Sequence, residues 1–226
     1  MKTPLEKASY ATVERWLKRH FRCFQTAVNK GLKHGRADII GIRDIGGDLT
    51  GDIETIIVEI KRGLQPFATA SGQTLGYRVF ANRVYLADVR EKGFSVDEFQ
   101  IASYLGIGLI QIRKGKCAEV LSSPFYNPIR RFHFELLDNL GLGKCQLCES
   151  IFKTGTVEKG YSNVTREKMR KAIQDGKGVM FWNEEVAERK DKVGIRPSPN
   201  DIIWERRFIC PECISRFIAQ LSHSPS

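Results

Sequence analysis

The chain holds 226 residues with a formal net charge of +10, from 36 Lys and Arg against 26 Asp and Glu. Hydrophobic residues make up 42% and charged residues 27%, which is enough apolar side chain for a core and excludes a wholly disordered chain. No apolar run approaches the ~18 residues of a membrane-spanning helix, and the opening MKTPLEKASYATVERW lacks a secretory-signal pattern.

Residues 5–22 predict an amphipathic helix, because Leu5, Ala8, Val13, Trp16, Leu17 and Phe21 recur at helical spacing. A short extended run follows at Phe24–Val28. Ala37–Ile42 and Ile53–Lys61 are β-rich, and the glycine-containing RDIGGDLTGD between them predicts a hairpin loop. The acids around that loop, Asp44, Asp48, Asp52 and Glu54, do not match calcium-loop spacing and predict a solvated hairpin. Residues 67–81 predict a second helix, Val84–Ala87 a strand, Val96–Leu105 a helix, and Ile107–Ile112 and Cys117–Leu121 two strands around a Lys-Gly-Lys turn. Gly72 and Gly76 lie four apart in the second helix. Each costs ~1 kcal/mol against Ala in a helix interior, so close packing on the sheet is the expected reason for them.

This order predicts an α/β fold, a mixed sheet flanked by helices over residues 1–125. SSPFYNP, residues 122–128, is the expected boundary, and residues 126–226 a smaller α+β domain built on cysteines. Net charge is +6 over residues 1–125, with 19 Lys and Arg against 13 Asp and Glu. It is +4 over residues 126–226, with 17 against 13. Both halves therefore favour a polyanionic partner such as nucleic acid or an acidic membrane, with a generic basic surface as the alternative.

Strand alternation puts Glu59 and Lys61 on one face of Ile53–Lys61, with Val58 and Ile60 on the other. The hairpin folds Asp38 back beside Glu59, so two carboxylates and an ammonium converge on a cleft. Two carboxylates suit a hard divalent cation such as Mg²⁺. Such a cation polarises a phosphate and acidifies a bound water, with Lys61 offsetting developing charge. On the Glu-x-Lys triplet alone, an ordinary surface pair is the better reading; the upstream Asp38 and the following helix favour chemistry.

Ala37-Asp38, Glu59-Ile60-Lys61 and the Gln- and Tyr-bearing helix in GQTLGYRVFANRVYLAD resemble the PD-(D/E)XK nuclease superfamily, in its branch related to Mrr and Holliday-junction resolvases. YLGIGLIQI is similar to the next strand of that branch, and the resemblance covers roughly residues 10–121. It implies a restriction-endonuclease-like fold and Mg²⁺-dependent DNA cleavage. Asp38 and Glu59 would be metal ligands and Lys61 the catalytic lysine. Gln73 would position the lysine or the substrate, although a solvent-facing helix residue is an equal reading. Glu14, on the first helix, matches by position a Glu that joins the family's metal site. Ala37 stands where the motif's name has Pro. Cleavage of both strands of a duplex would favour a homodimer.

Four of six cysteines form two Cys-x-x-Cys pairs, Cys145/Cys148 and Cys210/Cys213. Without a secretory signal, such pairs indicate a metal site sooner than disulfides, and hence a cytoplasmic, intracellular protein. No histidine lies between the pairs, which also argues against an HNH nuclease site. Four thiolates suit tetrahedral structural Zn²⁺; a four-cysteine iron–sulfur cluster and a redox dithiol are the alternatives. Sixty-one residues separate the pairs, so the intervening chain carries structure of its own. A knuckle opening into the helix after Cys213 resembles the treble-clef class of zinc modules. NVTREKMRKAIQDGKG predicts a capped helix between the pairs, with Arg166, Lys168, Arg170 and Lys171 facing solvent or phosphates. Arg206 and Arg207 beside Trp204 and Phe208 repeat the basic and aromatic pairing. Cys23 and Cys117 sit in apolar runs and are expected to be inert core thiols. A non-catalytic nucleic-acid-binding protein, or an adaptor whose zinc module binds protein, is the alternative function.

Overall fold

A computed structural model describes residues 7–32, 35–46, 52–63, 65–145, 147–154, 157–159, 171, 174–175, 178–181 and 207–222. The chain divides into two compact units. One comprises residues 1–45 and 53–133, the other residues 46–52 and 134–226.

The first unit is mixed α/β, as its element order predicts. Helix α1 (Tyr10–His20) buries Val13 and Leu17 completely. It ends at His20 and not at the expected residue 22, because Arg22 adopts φ +55° and turns the chain away. Strands β1 (Gln25–Leu32), β2 (Gly35–Asp44) and β3 (Ile53–Lys61) form an antiparallel meander. Helix α2 (Phe67–Gly76) passes into a 3₁₀ turn at Tyr77–Val79 instead of continuing to residue 81. Strand β4 (Arg83–Val89), helix α3 (Val96–Leu105), β5 (Gly108–Arg113) and β6 (Lys116–Leu121) complete the unit. The sheet runs β1-β2-β3-β4-β5-β6, parallel across β3-β4-β5 and antiparallel elsewhere.

Local chemistry explains the punctuation. Ser95 and Glu98 form a reciprocal capping box at the start of α3. Lys114 and Gly115 take φ +48° and +70°, the paired left-handed geometry of a two-residue hairpin turn. Gly106 ends α3 at φ +65°, where a Cβ would lie 1.8 Å from the Tyr126 hydroxyl, so only glycine fits there.

Period-two alternation sorts β3 onto two faces. Ile56, Val58 and Ile60 join Ile39, Tyr85, Ile110, the α1 residues Val13 and Leu17, and Phe21 just after α1 in one apolar cluster. The opposite face meets α2. Because both faces are covered, every residue of β3 after Ile53 is buried. Cys23 and Cys117 lie within or against the α1 cluster, and burial pushes their thiols up to about 12 and about 11, as inert core thiols should be.

Three expectations are corrected. Gly72 and Gly76 do not pack on the sheet: both are exposed, and a Cβ at either would meet nothing within 4 Å. The sheet-facing positions of α2 are instead Ala70, Ser71 and Thr74. Glu54 is not part of a solvated hairpin. It is 1% exposed and bridges Arg43 and Arg83, with Arg83 Nε 2.6 Å away. Residues 122–128 are not a linker. Ser123 Oγ accepts from Val84 N, Tyr126 N donates to Asn82 O at 2.9 Å, and the Arg78 guanidinium stacks 3.4 Å above the Tyr126 ring. These bonds tie the segment to the first unit, and the division falls at His133/Phe134, within helix α4 (Arg130–Asn139), which the sequence reading missed.

In the second unit, β7 (Leu142–Lys144) and β8 (Ile151–Lys153) form a hairpin. Strands β9 (Val157–Lys159), β10 (Gly178–Phe181) and β11 (Arg207–Ile209) make a sheet in the order β11-β10-β9. Helix α5 (Pro211–Ser222) follows. The expected helix at 163–176 lies outside the described residues apart from Lys171, Gln174 and Asp175, and so do Trp204 and Arg206. Among the described residues, no helix is long and apolar enough to cross a membrane.

Candidate functional site

The antiparallel register pairs Ile39 with Val58, and Asp38 and Glu59 are the next residues of β2 and β3 beyond that pair. Asp38 is completely buried, and both its oxygens accept hydrogen bonds. Tyr10 Oη on α1 donates to Oδ1 at 2.7 Å, and the Ile60 amide donates to Oδ2 at 2.8 Å. The meander thus uses a side-chain oxygen of β2 to satisfy a backbone donor of β3.

Glu59 is likewise completely buried. Lys61 Nζ donates to Glu59 Oε1 at 2.8 Å and to Gln73 Oε1 at 2.9 Å. Gln73 Nε2 in turn donates to Tyr77 Oη at 3.2 Å. The Tyr77 hydroxyl lies 2.8 Å from Arg36 O and 3.2 Å from Glu59 Oε2. Burial, then the nearby Glu59 charge, push its pKa well above the usual phenol range, so it stays a neutral donor. Glu59, Lys61, Gln73 and Tyr77 therefore share one hydrogen-bonded network, while Asp38 is held beside it by Tyr10 and by the backbone amide of Ile60, the residue between Glu59 and Lys61.

Glu14 is not in that network. Its Oε1 accepts from Lys18 Nζ and Thr26 Oγ1, each at 2.7 Å, and these hydrogen bonds hold its carboxyl below the usual range. Tyr10, one turn earlier on the same face, reaches Asp38 in its place. Nor do Glu59 and Lys61 line an open cleft: Lys61 is only 6% exposed, beneath the exposed Gln73. Two carboxylates against one ammonium leave the cluster with one surplus negative charge. Its hard oxygen donors fit a divalent cation in charge and type. Lys61, the more exposed of the two Glu59 partners beside the exposed Arg62 and Gly63, is the group best placed to yield an oxygen to it.

The second cluster is a thiol tetrad. Cys145 and Cys148 lie in the turn of the β7–β8 hairpin. Cys210 follows β11, and Cys213 lies in the first turn of α5. A bridge between Cys145 and Phe208 joins the two knuckles, and Phe152 packs edge-on against Phe208 at 6.0 Å. All four Sγ atoms lie within 4.8 Å of one another, and Cys148 Sγ is 3.7 Å from Cys210 Sγ. Tetrahedral ligands ~2.3 Å from one ion would stand about 3.8 Å apart, so the tetrad is compatible with a single metal ion such as zinc. The four cysteines are free thiols, not disulfides. The amides of Cys210 and Cys213 donate to Cys145 Sγ at 3.3 Å and Cys210 Sγ at 3.4 Å, which favours thiolates. At Cys148 burial pushes the thiol up, but hydrogen bonds from Ser150 outweigh it and bring the thiol to about 7. Gly178 in β10 allows this packing, because a Cβ there would stand 2.6 Å from the Ile209 carbonyl.

No known family profile matches the sequence, and no curated protein sequence matches it. A solved protein of unknown function from Silicibacter pomeroyi is similar in structure, with a TM-score of 0.43 and 18% identity. The match covers 62% of this chain and 84% of that one.

Proposed function

We propose that the protein is a Mg²⁺-dependent DNA endonuclease of the PD-(D/E)XK type, with a C-terminal module held together by Zn²⁺. The observation that supports this reading is the buried Lys61–Glu59–Gln73 network of β3 and α2, with the buried Asp38 of β2 bonded to the Ile60 amide between Glu59 and Lys61. Asp38 and Glu59 would hold the cation. Bound Mg²⁺ would supply polarisation of the scissile phosphate and a more acidic water. The protein's own groups do the rest. Tyr10 and the Ile60 amide fix the Asp38 carboxylate, and Tyr77 braces Glu59. Gln73 holds the Lys61 ammonium, whose charge offsets the negative charge that grows on the phosphate oxygens. The net charge of +10 supports DNA as the polyanion. In the second unit, Cys145, Cys148, Cys210 and Cys213 would bind one Zn²⁺, whose binding energy adds to the folding energy of that unit.

Complete burial of Asp38 and Glu59 favours a second reading, a nucleic-acid-binding protein in which the same network is purely structural. Incubation of the zinc-loaded protein with supercoiled plasmid, linear duplex and branched DNA, with Mg²⁺ or with EDTA, separates the two. Mg²⁺-dependent nicking or linearisation supports the nuclease. Salt-sensitive binding without cleavage on every substrate assigns the second reading.

A further inference from the structure

The mixed sheet places one more carboxylate beside Lys61. Strands β3 and β4 are parallel and in register, with Lys61 paired to Asp88 and Ile60 paired to Ala87. Ile60 and Ala87 both belong to the α1 cluster, so Lys61 and Asp88 share the opposite face, which carries Glu59. Asp88 is only 4% exposed. Its Oδ2 accepts two donors from Arg90, Nε at 2.9 Å and Nη2 at 2.6 Å. Its Oδ1 is buried and has no hydrogen-bond partner among the described residues.

A buried carboxylate oxygen without a donor is costly, on the order of 1–3 kcal/mol or more, so this one calls for a ligand. The neighbours do not supply it. Arg90 is committed to Oδ2 and, through Nη1 and Nη2, to both oxygens of Glu98. Gln111, the β5 partner of Asp88, donates to the carbonyls of Arg90 and Lys92 instead. Lys61 carries three N–H donors, and its hydrogen-bond partners among the described residues are Glu59 and Gln73. It makes no direct ion pair with Asp88. Above the carboxylate sits Gly63, at φ +65°. A Cβ there would lie in ordinary van der Waals contact, 3.8 Å from Oδ1 and 3.9 Å from Oδ2.

We propose that Asp88 is a positioning residue of this site, whose Oδ1 holds the third N–H of Lys61 through one bound water. Asp88 and Glu59 then fix the ammonium from two sides, and Gln73 fixes it from the helix. The water has two charged partners, as a retained buried water requires. The consequence for cleavage rests on the nuclease reading above; the hydrogen bond itself does not.

The test is Asp88→Asn in the full-length, zinc-loaded protein. Asn must turn its one oxygen to the two Arg90 donors. Its NH₂ then replaces Oδ1 and cannot accept from the water. The primary readout is exchange of the Lys61 NH₃⁺ protons with solvent by ¹⁵N NMR. Exchange should accelerate roughly tenfold, and kcat should fall by about the same factor with KM and Mg²⁺ affinity unchanged. Glu98→Gln, which alters only the far side of Arg90, should leave Lys61 exchange at the parent rate. Should Asp88→Asn fail to fold, the parent protein decides: a long-lived water cross-peak to the Lys61 NH₃⁺ protons is expected, and its absence overturns the proposal. Unchanged Lys61 exchange in the folded variant overturns the proposal, whatever happens to cleavage. If the parent cuts no DNA, the nuclease reading fails, and the exchange measurement still decides the role of Asp88.

Discussion

Asp38→Asn tests the proposed chemistry with the least disturbance of shape. In the parent, the carboxylate accepts from Tyr10 Oη at 2.7 Å and from the Ile60 amide at 2.8 Å. Asn can keep both contacts. Its oxygen takes the Ile60 amide, and its NH₂ donates to the Tyr10 hydroxyl, which rotates to another acceptor. Two charge-assisted bonds, each contributing about 1.5–3 kcal/mol, become neutral bonds of about 0.5–1.5 kcal/mol. Burying a neutral amide costs less than burying a charge, which returns part of that loss. The net destabilisation should be about 1–2 kcal/mol. For a chain of this length that lowers Tm by roughly 3–6 °C, leaving the protein folded at 25 °C. Cleavage should fall much further, by roughly 100-fold or more, because one anionic ligand for the cation is gone. Calorimetry at fixed zinc content and a plasmid-nicking time course measure the two effects on one preparation. A variant that cuts within twofold of the parent would refute the metal-ligand role of Asp38. An unchanged Tm would refute the hydrogen-bond accounting.

Lys61→Ala should slow cleavage roughly 100-fold while Mg²⁺ affinity holds or rises, because the ammonium no longer competes for Glu59; single-turnover kinetics against a Mg²⁺ titration tests this. Cys210→Ala should reduce zinc content by elemental analysis and lower hydrogen-exchange protection of the β7–β8 hairpin and α5, leaving the mixed sheet protected. Glu98→Gln should flatten the acid limb of stability. Hydrogen bonds from Arg90 depress the folded pKa of Glu98, so its contribution is present above its unfolded pKa of ~4.3 and lost as pH falls through the lower folded value. Parent and variant should therefore converge in Tm at low pH and separate towards neutrality. DNA affinity should fall linearly with salt on a log–log scale, and a flat plot between low and moderate salt would argue against phosphate contacts.

The parts of the site legible in the sequence are those set by short-range rules. Period-two alternation places Glu59 and Lys61 together, and one hairpin brings Asp38 beside Glu59. Cys-x-x-Cys spacing announces each knuckle, although sixty-one residues lie between the pairs. What was not legible depends on register and packing between distant segments. Tyr10 reaches Asp38 across 28 residues, a contact that depends on how α1 packs on β2. Asp88 joins Lys61 only because β3 and β4 pair in parallel and in register, which no local pattern specifies. Glu54 looks like a loop acid until β2 brings Arg43 and β4 brings Arg83 to it. The Ser- and Pro-containing run at 122–128 has linker composition, yet the bond from Tyr126 N to Asn82 O and the bond from Val84 N to Ser123 Oγ hold it on the first unit.

Burial gives this site its particular character. A carboxylate pair that faced water would hold a cation weakly, since hydration competes for both. Here Asp38 and Glu59 have surrendered hydration already, to Tyr10, the Ile60 amide, Lys61 and Tyr77. The protein has therefore met the cost of assembling two like charges before any cation arrives. In the proposed nuclease, a divalent ion would displace few waters from the carboxylates and would meet oxygens already oriented, which would favour binding and lower reorganisation during reaction. The same burial makes Lys61 the natural gate. It neutralises half the carboxylate charge while the cation is absent. It is 6% exposed, and under the proposed nuclease reading it would shift from Glu59 when the cation binds. Gln73 gives the displaced ammonium a second anchor on α2, so the shift can be a tilt of one side chain with the sheet left in place.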